Sequence, residues 1–335
     1  MDRVNNILDE MLKEEIPAML LLQEENIFYM SGFKPSGFSI LVLKDEPLLL
    51  VSKMDSEEAN ETSRIPLQEF NSFKDLKNML NELKLSKLGI EESMKIGFYN
   101  KIKNNYNMEV TDLIERSRMI KTSHEINSIK KSISIAEKSF NKLEFKKNEW
   151  ELAAELEYLM RMNGSQKEAF ETIVASGSRS SLPHALPTSN KLEYPLLIDW
   201  GAVWDNYSSD CTRTIIETEK QEEVLNICLE AQKEAIKSIK PGISACEIDN
   251  IARSVIKDYG YGDNFIHSTG HGVGLQVHEK PSISSREEIT LEKNMVITIE
   301  PGIYLGGEWG VRIEDIVLIK NKAGKLSKLP PVIND

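Results

Sequence analysis

Histidine and cysteine are scarce in this chain, and a long apolar run is missing altogether. The 335 residues include five histidines and three cysteines. Cys211, Cys228 and Cys246 form no C-x-x-C pair and leave an odd count, which fits a reducing compartment with buried or indifferent thiols rather than disulfide staples. No apolar stretch approaches the length of a membrane span. The N-terminus, Met1-Asp2-Arg3-Val4-Asn5-Asn6, lacks the apolar core of a signal peptide. The expectation is a cytoplasmic protein with no membrane partner. Basic residues are also in deficit, 41 Lys and Arg against 53 Asp and Glu, for a net charge of −12. With no basic patch to neutralise phosphates, a nucleic-acid partner is not expected. Bound cations would cancel part of the negative charge.

What is present is ordinary for a folded chain: 28% charged and 40% hydrophobic residues, in a length that favours about two domains. The stretch 1–118 reads as a small α/β domain without a histidine. Residues 1–14 look helical and Ala18–Leu22 looks like a buried strand. Ser39–Leu43 and Leu48–Val51 flank the turn Lys44-Asp45-Glu46-Pro47, a hairpin signal. A further strand is expected near Leu88-Gly89-Ile90.

A second unit, 119–335, opens with Thr122 and Glu125 spaced as a capping box. Ile126, Ile129, Ile133, Ala136, Phe140 and Leu143 then recur at helical spacing. Asn148 and Glu151 begin another helix, which Asn163-Gly164 can close in a left-handed cap. Leu196-Leu197-Ile198-Asp199, the turn Asp205-Asn206 and a strand from Asp210 to Ile216 read as a hairpin. The pattern then repeats. One helix carries Val224, Cys228, Ala231, Ala235 and Ile239; the next opens at Ser244/Glu247 and stops at Gly260. Strands Met295–Glu300 and Val311–Val317 follow. Two units of helix, helix and acidic hairpin suggest an old duplication. A pseudo-twofold pairing would bring the acidic hairpins together.

Five residues on those hairpins and their edges stand out: Asp199, Asp210, His271, Glu300 and Glu314. A carboxylate that ends a buried strand must be paired, hydrogen-bonded or metal-bound to offset desolvation. One such Asp could be satisfied by backbone N–H groups; four in matching contexts point to a site. Carboxylates can bridge two cations, and one imidazole can favour one of them, which suits borderline divalent ions better than a structural zinc. Two ions about 3.5 Å apart can share a hydroxide and clamp a carbonyl. Cys211, beside Asp210, points to the opposite face by strand period. Three of the five histidines, His267, His271 and His278, fall close together, and His271 lies in Gly270-His271-Gly272-Val273-Gly274. Those small neighbours let the backbone approach a bound ion or substrate. His184 sits in a polar loop, and His124 reads as a surface residue.

Six segments then resemble one family: Ile198-Asp199-Trp200-Gly201-Ala202, Tyr207 to Thr214, His267 to Leu275, His278-Glu279, Ile299 to Tyr304, and Val311-Arg312-Ile313-Glu314-Asp315. They look like the pita-bread metallopeptidases, in the Xaa-Pro dipeptidase (prolidase) and Xaa-Pro aminopeptidase branch. The resemblance covers roughly residues 120–335. Residues 1–118 resemble the branch's creatinase-like domain in pattern and size. The resemblance implies an α+β fold, with a pita-bread catalytic domain after a smaller α/β domain. It implies two divalent metal ions, Mn²⁺ or Co²⁺ first and Zn²⁺ after them. Asp199 would hold one ion, Asp210 and Glu314 would bridge, and His271 and Glu300 would complete the other. A bridging hydroxide would be the nucleophile, with Glu300 also accepting or shuttling a proton. His184 and His278 would contact the substrate carbonyl, and His267 would shape the pocket for proline. Arg312, on the face of Glu314, would orient ligand carboxylates or simply form a structural salt bridge.

The expected activity is hydrolysis of the X-Pro bond in dipeptides or short peptides by a homodimer. An Xaa-Pro aminopeptidase on longer peptides is the alternative, kept close by Ser282, where some prolidases carry an arginine. Methionine aminopeptidase shares the ligand set but usually lacks so large a preceding domain. Creatinase-like C–N hydrolases or silent binding relatives lose ligands that are all present here.

Overall fold

The computed structural model describes residues 2–145 and 148–332. The chain divides into two compact units, Met1–Arg118 and Met119–Asp335. In the first, six strands form one mixed sheet in the order Leu67–Phe70, Leu48–Ser52, Ser39–Leu43, Met19–Leu21, Lys87–Glu91, Asn107–Thr111. The hairpin about Lys44–Pro47 is formed, with Ser39 opposite Val51 and Val42 opposite Leu48. Ser39–Leu43 is buried at every position, which explains an unbroken apolar run instead of alternation. Leu20, Ile40, Val42, Leu50, Leu76, Leu80 and Leu88 fill the core beneath the sheet's helices. Among the described residues, no donor group able to hold a metal lies in this unit.

The second unit contains two halves of the same make. In the first half, helices Ser123–Phe140 and Glu149–Met162 both open on complete capping boxes, Thr122/Glu125 and Asn148/Glu151. Each box satisfies two orphan N–H groups reciprocally. Gly164, at φ +102°, ends the second helix in the left-handed conformation. These helices pack on an antiparallel sheet ordered Cys211–Ile215, Leu196–Trp200, Ile173–Ser176. Phe140 stacks on Trp200 with centroids 4.4 Å apart, and the indole N–H donates to Ala136 O at 3.1 Å. Truncating Trp200 would cost about 3–5 kcal/mol, as large-to-small changes at fully buried aromatics do.

In the second half, helices Glu219–Ser238 and Ala245–Asp258 pack on a five-stranded sheet. Its order is Glu279–Ile283, Gly270–Gly272, Val296–Ile299, Asp315–Ile319, Ala323–Lys325. Val224, Cys228, Ala231 and Ala235 line one helix face, and Ile248, Ala252 and Ile256 the next.

Two strands depart from the reading of the sequence. The stretch Val311–Val317 is not one strand but two, Trp309–Arg312 and Asp315–Ile319, which belong to different sheets. Arg312 pairs with Gly302, whereas Asp315 pairs with Ile299. Likewise the turn Asp205-Asn206, both at positive φ, closes a two-stranded ribbon, Val203–Trp204 with Tyr207–Ser208. The chain re-enters the main ladder only at Cys211, opposite Trp200. Asp210 and Glu314 therefore sit at breaks between ladders, and Glu300 just past the end of Val296–Ile299. A residue at such a break points where sheet alternation would not send it.

Candidate metal centre

Asp199 is the fourth residue of Leu196–Trp200 and faces Thr212 across the ladder. Glu314 reaches the same place from the other half. Its amide donates to Thr212 O at 3.2 Å, and its Oε2 accepts from the Thr212 hydroxyl at 2.9 Å. His271 occupies the middle of Gly270–Gly272. Its backbone N–H donates to the Thr298 hydroxyl at 3.1 Å, which turns to Glu300 Oε1 at 3.4 Å. The glycines beside His271 serve strand packing rather than approach to an ion. A Cβ on Gly270 would lie 2.0 Å from Thr298 O, and one on Gly272 would lie 2.3 Å from Lys280 O.

These elements bring together three groups of donors. They are Asp199/Asp210/Glu314, His271/Glu300/Glu314 and Asp210/His271/His278, each with ligand atoms within 4.8 Å of one another. All five residues singled out as ligands are thus gathered, and His278 reaches the same cluster. The His278 ring lies against that of His271 in a tilted contact, with centroids 4.1 Å apart and planes at 57°. Cys211 stays outside every group; its thiol faces Glu314 O and burial pushes its pKa up.

The atoms turned inward are all acceptors. The Nδ1–H of His271 is taken by Gly272 O at 3.1 Å, so its bare Nε2 faces Asp210 Oδ2 at 3.5 Å and Glu300 Oε1 at 3.4 Å. Asp199 Oδ1, Asp210 Oδ1 and Glu314 Oε1 are buried with no hydrogen-bond partner. Burial, then repulsion from Glu314, Asp199 and Glu300, raises Asp210 well above the usual carboxylate range. Burial and the charges of Glu300 and Asp199 do the same to Glu314. Glu300 is pushed up to about 8, chiefly by burial. Burial, with His278 beside it, lowers His271 to about 3, so the imidazole is neutral. Buried lone pairs that converge without donors need a positive charge at their centre. The residues fit divalent cations.

The remaining histidines and Arg312 surround this cluster. Arg312 is buried and spends its guanidinium on protein groups: Asp199 Oδ2 at 2.7 Å, Thr212 Oγ1 at 3.0 Å, Tyr304 Oη at 2.7 Å and Pro183 O at 3.2 Å. The Tyr304 hydroxyl accepts from Arg312, so it donates to His267 Nε2 at 2.9 Å, while His267 Nδ1–H goes to Ser268 O at 2.8 Å. Both ring nitrogens of His267 are committed, and burial and Arg312 lower it to about 4. It presents carbon edges beside Phe265 and Tyr304. His184 and His278 are exposed. Arg312 donates both to the Tyr304 hydroxyl that holds His267 and to Pro183 O, one residue before His184, so it links those two histidine segments. His124 is exposed and lies 3.6 Å from Asp205. Thr212, Thr298 and Tyr304 escaped the reading of the sequence. Thr212 stands opposite Asp199 across the ladder, a pairing set by register and not by any local signal.

Repeated halves that meet in an inward-facing cluster of carboxylates and one imidazole define a metallohydrolase of the pita-bread class. Comparison with known proteins agrees. Residues 127–321 match metallopeptidase family M24, and residues 3–120 match the Creatinase/Prolidase N-terminal domain. The chain is 44% identical to an Xaa-Pro dipeptidase of Pyrococcus horikoshii, over 98% of this chain and 97% of that one. It resembles the crystal structure of the prolidase from Pyrococcus horikoshii with TM-score 0.93 and 42% identity, covering 98% and 99% of the two chains. It also resembles an X-Pro aminopeptidase of Thermotoga maritima with TM-score 0.90 and 34% identity, covering 98% and 99%. The chain belongs to metallopeptidase family M24 and is a metal-dependent peptidase.

Proposed function

We propose that this chain is an Xaa-Pro dipeptidase that holds two divalent ions through Asp199, Asp210, His271, Glu300 and Glu314. The observation that carries this reading is the complete inward-facing donor set, in a chain 44% identical over nearly its whole length to an Xaa-Pro dipeptidase. Four carboxylates with one imidazole suit Mn²⁺ or Co²⁺ first and Zn²⁺ next. When bound, such ions lower the pKa of a water and polarise the scissile carbonyl. Asp199, Asp210 and Glu314 would hold one ion and His271, Glu300 and Glu314 the other, with Asp210 and Glu314 placed where a ligand could serve both. Glu300, which Thr298 orients at Oε1, accepts a proton and passes it to the departing proline nitrogen.

His184 and His278, exposed beside the cluster, donate to the carbonyl oxygen as negative charge develops there. His267 cannot act as a donor, because both its nitrogens are engaged, so it serves as a wall for the proline ring. Arg312 positions Asp199 and the His184 loop instead of binding substrate directly. An X-Pro bond has no N–H and a restricted φ, so grooves that rely on backbone hydrogen bonds reject it. A site built from rigid side chains and a shaped apolar wall accepts it. A cytoplasmic homodimer belongs to the same proposal, and the three free cysteines support the reducing setting.

The test is hydrolysis of Ala-Pro, Met-Pro, Ala-Ala and a longer Ala-Pro-x-x peptide with Mn²⁺, Co²⁺ or Zn²⁺, before and after chelation. Fast, metal-dependent cleavage of the dipeptides supports the reading; equal kcat/KM on Ala-Pro and Ala-Ala rejects it. The likeness to the Thermotoga maritima X-Pro aminopeptidase favours one second reading. Preference for Ala-Pro-x-x over Ala-Pro selects it. Sedimentation measures the oligomeric state.

A further inference from the structure

Two buried carboxylates outside the metal cluster hold the segments that carry His184 and His267. Glu149 opens helix Glu149–Met162 and is wholly buried. Its Oε1 accepts from the backbone N–H and the hydroxyl of Ser176, both at 2.8 Å. Its Oε2 accepts from the N–H of Thr188 at 2.9 Å, from that residue's hydroxyl at 2.7 Å, and from Arg179 Nε at 3.2 Å. Ser176 and Thr188 are the two ends of the loop containing His184. One carboxylate therefore closes that loop at its base. Arg179, within the loop, donates from Nη2 to Leu186 O, two residues past His184.

The second half repeats the device. Asp249, on helix Ala245–Asp258, is wholly buried. Its Oδ1 accepts from the N–H of Thr269 at 3.1 Å, from the Thr269 hydroxyl at 2.8 Å and from Arg253 Nη2 at 2.9 Å. Arg253 also donates to Phe265 O at 2.8 Å and His267 O at 2.9 Å. In both halves an acid on the second helix takes backbone N–H and hydroxyl bonds. In both, its arginine partner donates to the backbone of the histidine segment, Arg179 to one carbonyl and Arg253 to two.

His184 needs such a device. Its side chain is exposed, as are Leu182 and Leu186 on either side, and only Ala185 of Leu182–Leu186 anchors in the core. Packing does not fix the imidazole, so its place is set by how the loop is tied. Charge-assisted bonds to backbone N–H are the strong kind, and an acid at a helix N-terminus is favoured by the dipole. We propose that Glu149, with Arg179, is a positioning residue for His184, and that Asp249, with Arg253, is its counterpart for His267. This rests on the roles given to those histidines above.

The test is a double-variant comparison with Ala-Pro and Mn²⁺. It takes Glu149→Gln, His184→Ala and the pair together, with kcat, KM and metal content measured for each. Glu149→Gln alone should lower kcat about 10–100-fold, the scale of a misplaced catalytic group. Metal content should stay at the wild-type value. In the His184→Ala background the same change should cost less than about twofold, because the group it positions is gone. Amide exchange in residues 177–187 should quicken in Glu149→Gln, with or without metal. An undiminished cost in the His184→Ala background, or no cost alone, overturns the proposal. Wild-type activity in His184→Ala is a separate outcome, which removes the role of His184 itself and this inference with it. If Glu149→Gln does not fold, Thr188→Val, which deletes one 2.7 Å bond to Oε2, carries the same comparison.

Discussion

Asp210→Asn should make the metal-free protein more stable while weakening its hold on metal. Asp210 is buried among carboxylates, and its ligand atom lies within 4.8 Å of those of Asp199 and Glu314. Two full charges at that distance repel by about 3.5 kcal/mol at an effective dielectric constant of 20. The metal-free site avoids part of this by taking up protons, which is why Asp210 and Glu314 are raised well above the carboxylate range. Neutralising one group should then return about 1–3 kcal/mol to the folded state, part of the full Coulomb figure. For a unit of about 200 residues, that is a rise of roughly 3–10 °C in Tm. With metal the sign reverses, because Asn carries no charge and Asp210 is assigned to both ions. The assay is calorimetry of wild type and variant in chelator and in excess Mn²⁺, with metal content measured alongside. The metal-induced rise in Tm should shrink in the variant and turnover should fall to near background. A metal-free Asp210→Asn that melts below wild type, or one that keeps full activity, refutes the reasoning.

Further outcomes follow from the same geometry. His271→Ala should lower metal content, whereas His278→Ala should keep both ions and slow turnover by about 10²–10³; elemental analysis beside kcat separates them, and a reversal would exchange their roles. His267→Ala should narrow the preference for Ala-Pro over Ala-Ala without stripping metal, since a pocket for a few ring carbons contributes about 1–3 kcal/mol, or about 10–200-fold. An unchanged ratio of kcat/KM would place the proline wall elsewhere. In metal-free protein, Glu300 keeps its proton up to about 8 in the folded state but only to an ordinary 4.5 when unfolded. Between these values the unfolded state binds fewer protons, so stability should fall as pH rises through that window. The gain from added Mn²⁺ should grow over the same range, because the cation replaces the proton; a flat metal-free Tm from pH 4.5 to 8 would contradict this.

Much of the second unit was legible because its signals are local. Thr122/Glu125, Asn148/Glu151 and Ser244/Glu247 are capping boxes in the sequence and in the structure. The apolar periods of both helix pairs became their buried faces. The acidic hairpins were also legible, since an Asp after Leu196-Leu197-Ile198 conflicts with its apolar surroundings. Sheet membership was not. Val311-Arg312-Ile313-Glu314-Asp315-Ile316-Val317 has the composition of one continuous strand. The change of partner from Gly302 to Ile299 within it depends on contacts distant in sequence. The glycines around His271 misled for a similar reason. Their lack of a Cβ suggests room for a ligand, but the carbonyls of Thr298 and Lys280 fill that room. Glu149 was unreadable, because an acid in the first turn of a helix is usually a solvated partner of the dipole.

The breaks in the strands explain how so few ligands make so dense a site. Along an unbroken strand, alternate side chains on one face lie about 7 Å apart, too far to share an ion. Asp199 remains in its ladder, but Asp210 and Glu314 come from points where the chain leaves one ladder for another. Glu300 and His271 lie on neighbouring segments tied through Thr298. Both halves thus contribute acids from irregular backbone that is itself held rigidly. Arg213 donates to Glu314 O at 2.7 Å, to Thr212 O at 2.8 Å and to Asp315 Oδ1 at 2.8 Å, all of them buried. That arginine ties the break in one half to the strand of the other, so the acids cannot spread apart to relieve their repulsion. The repulsion that Asp210→Asn would release is therefore held in place by the surrounding fold. If Arg213 and its neighbours instead let the metal-free cluster relax outward, Asp210→Asn would leave the metal-free Tm unchanged.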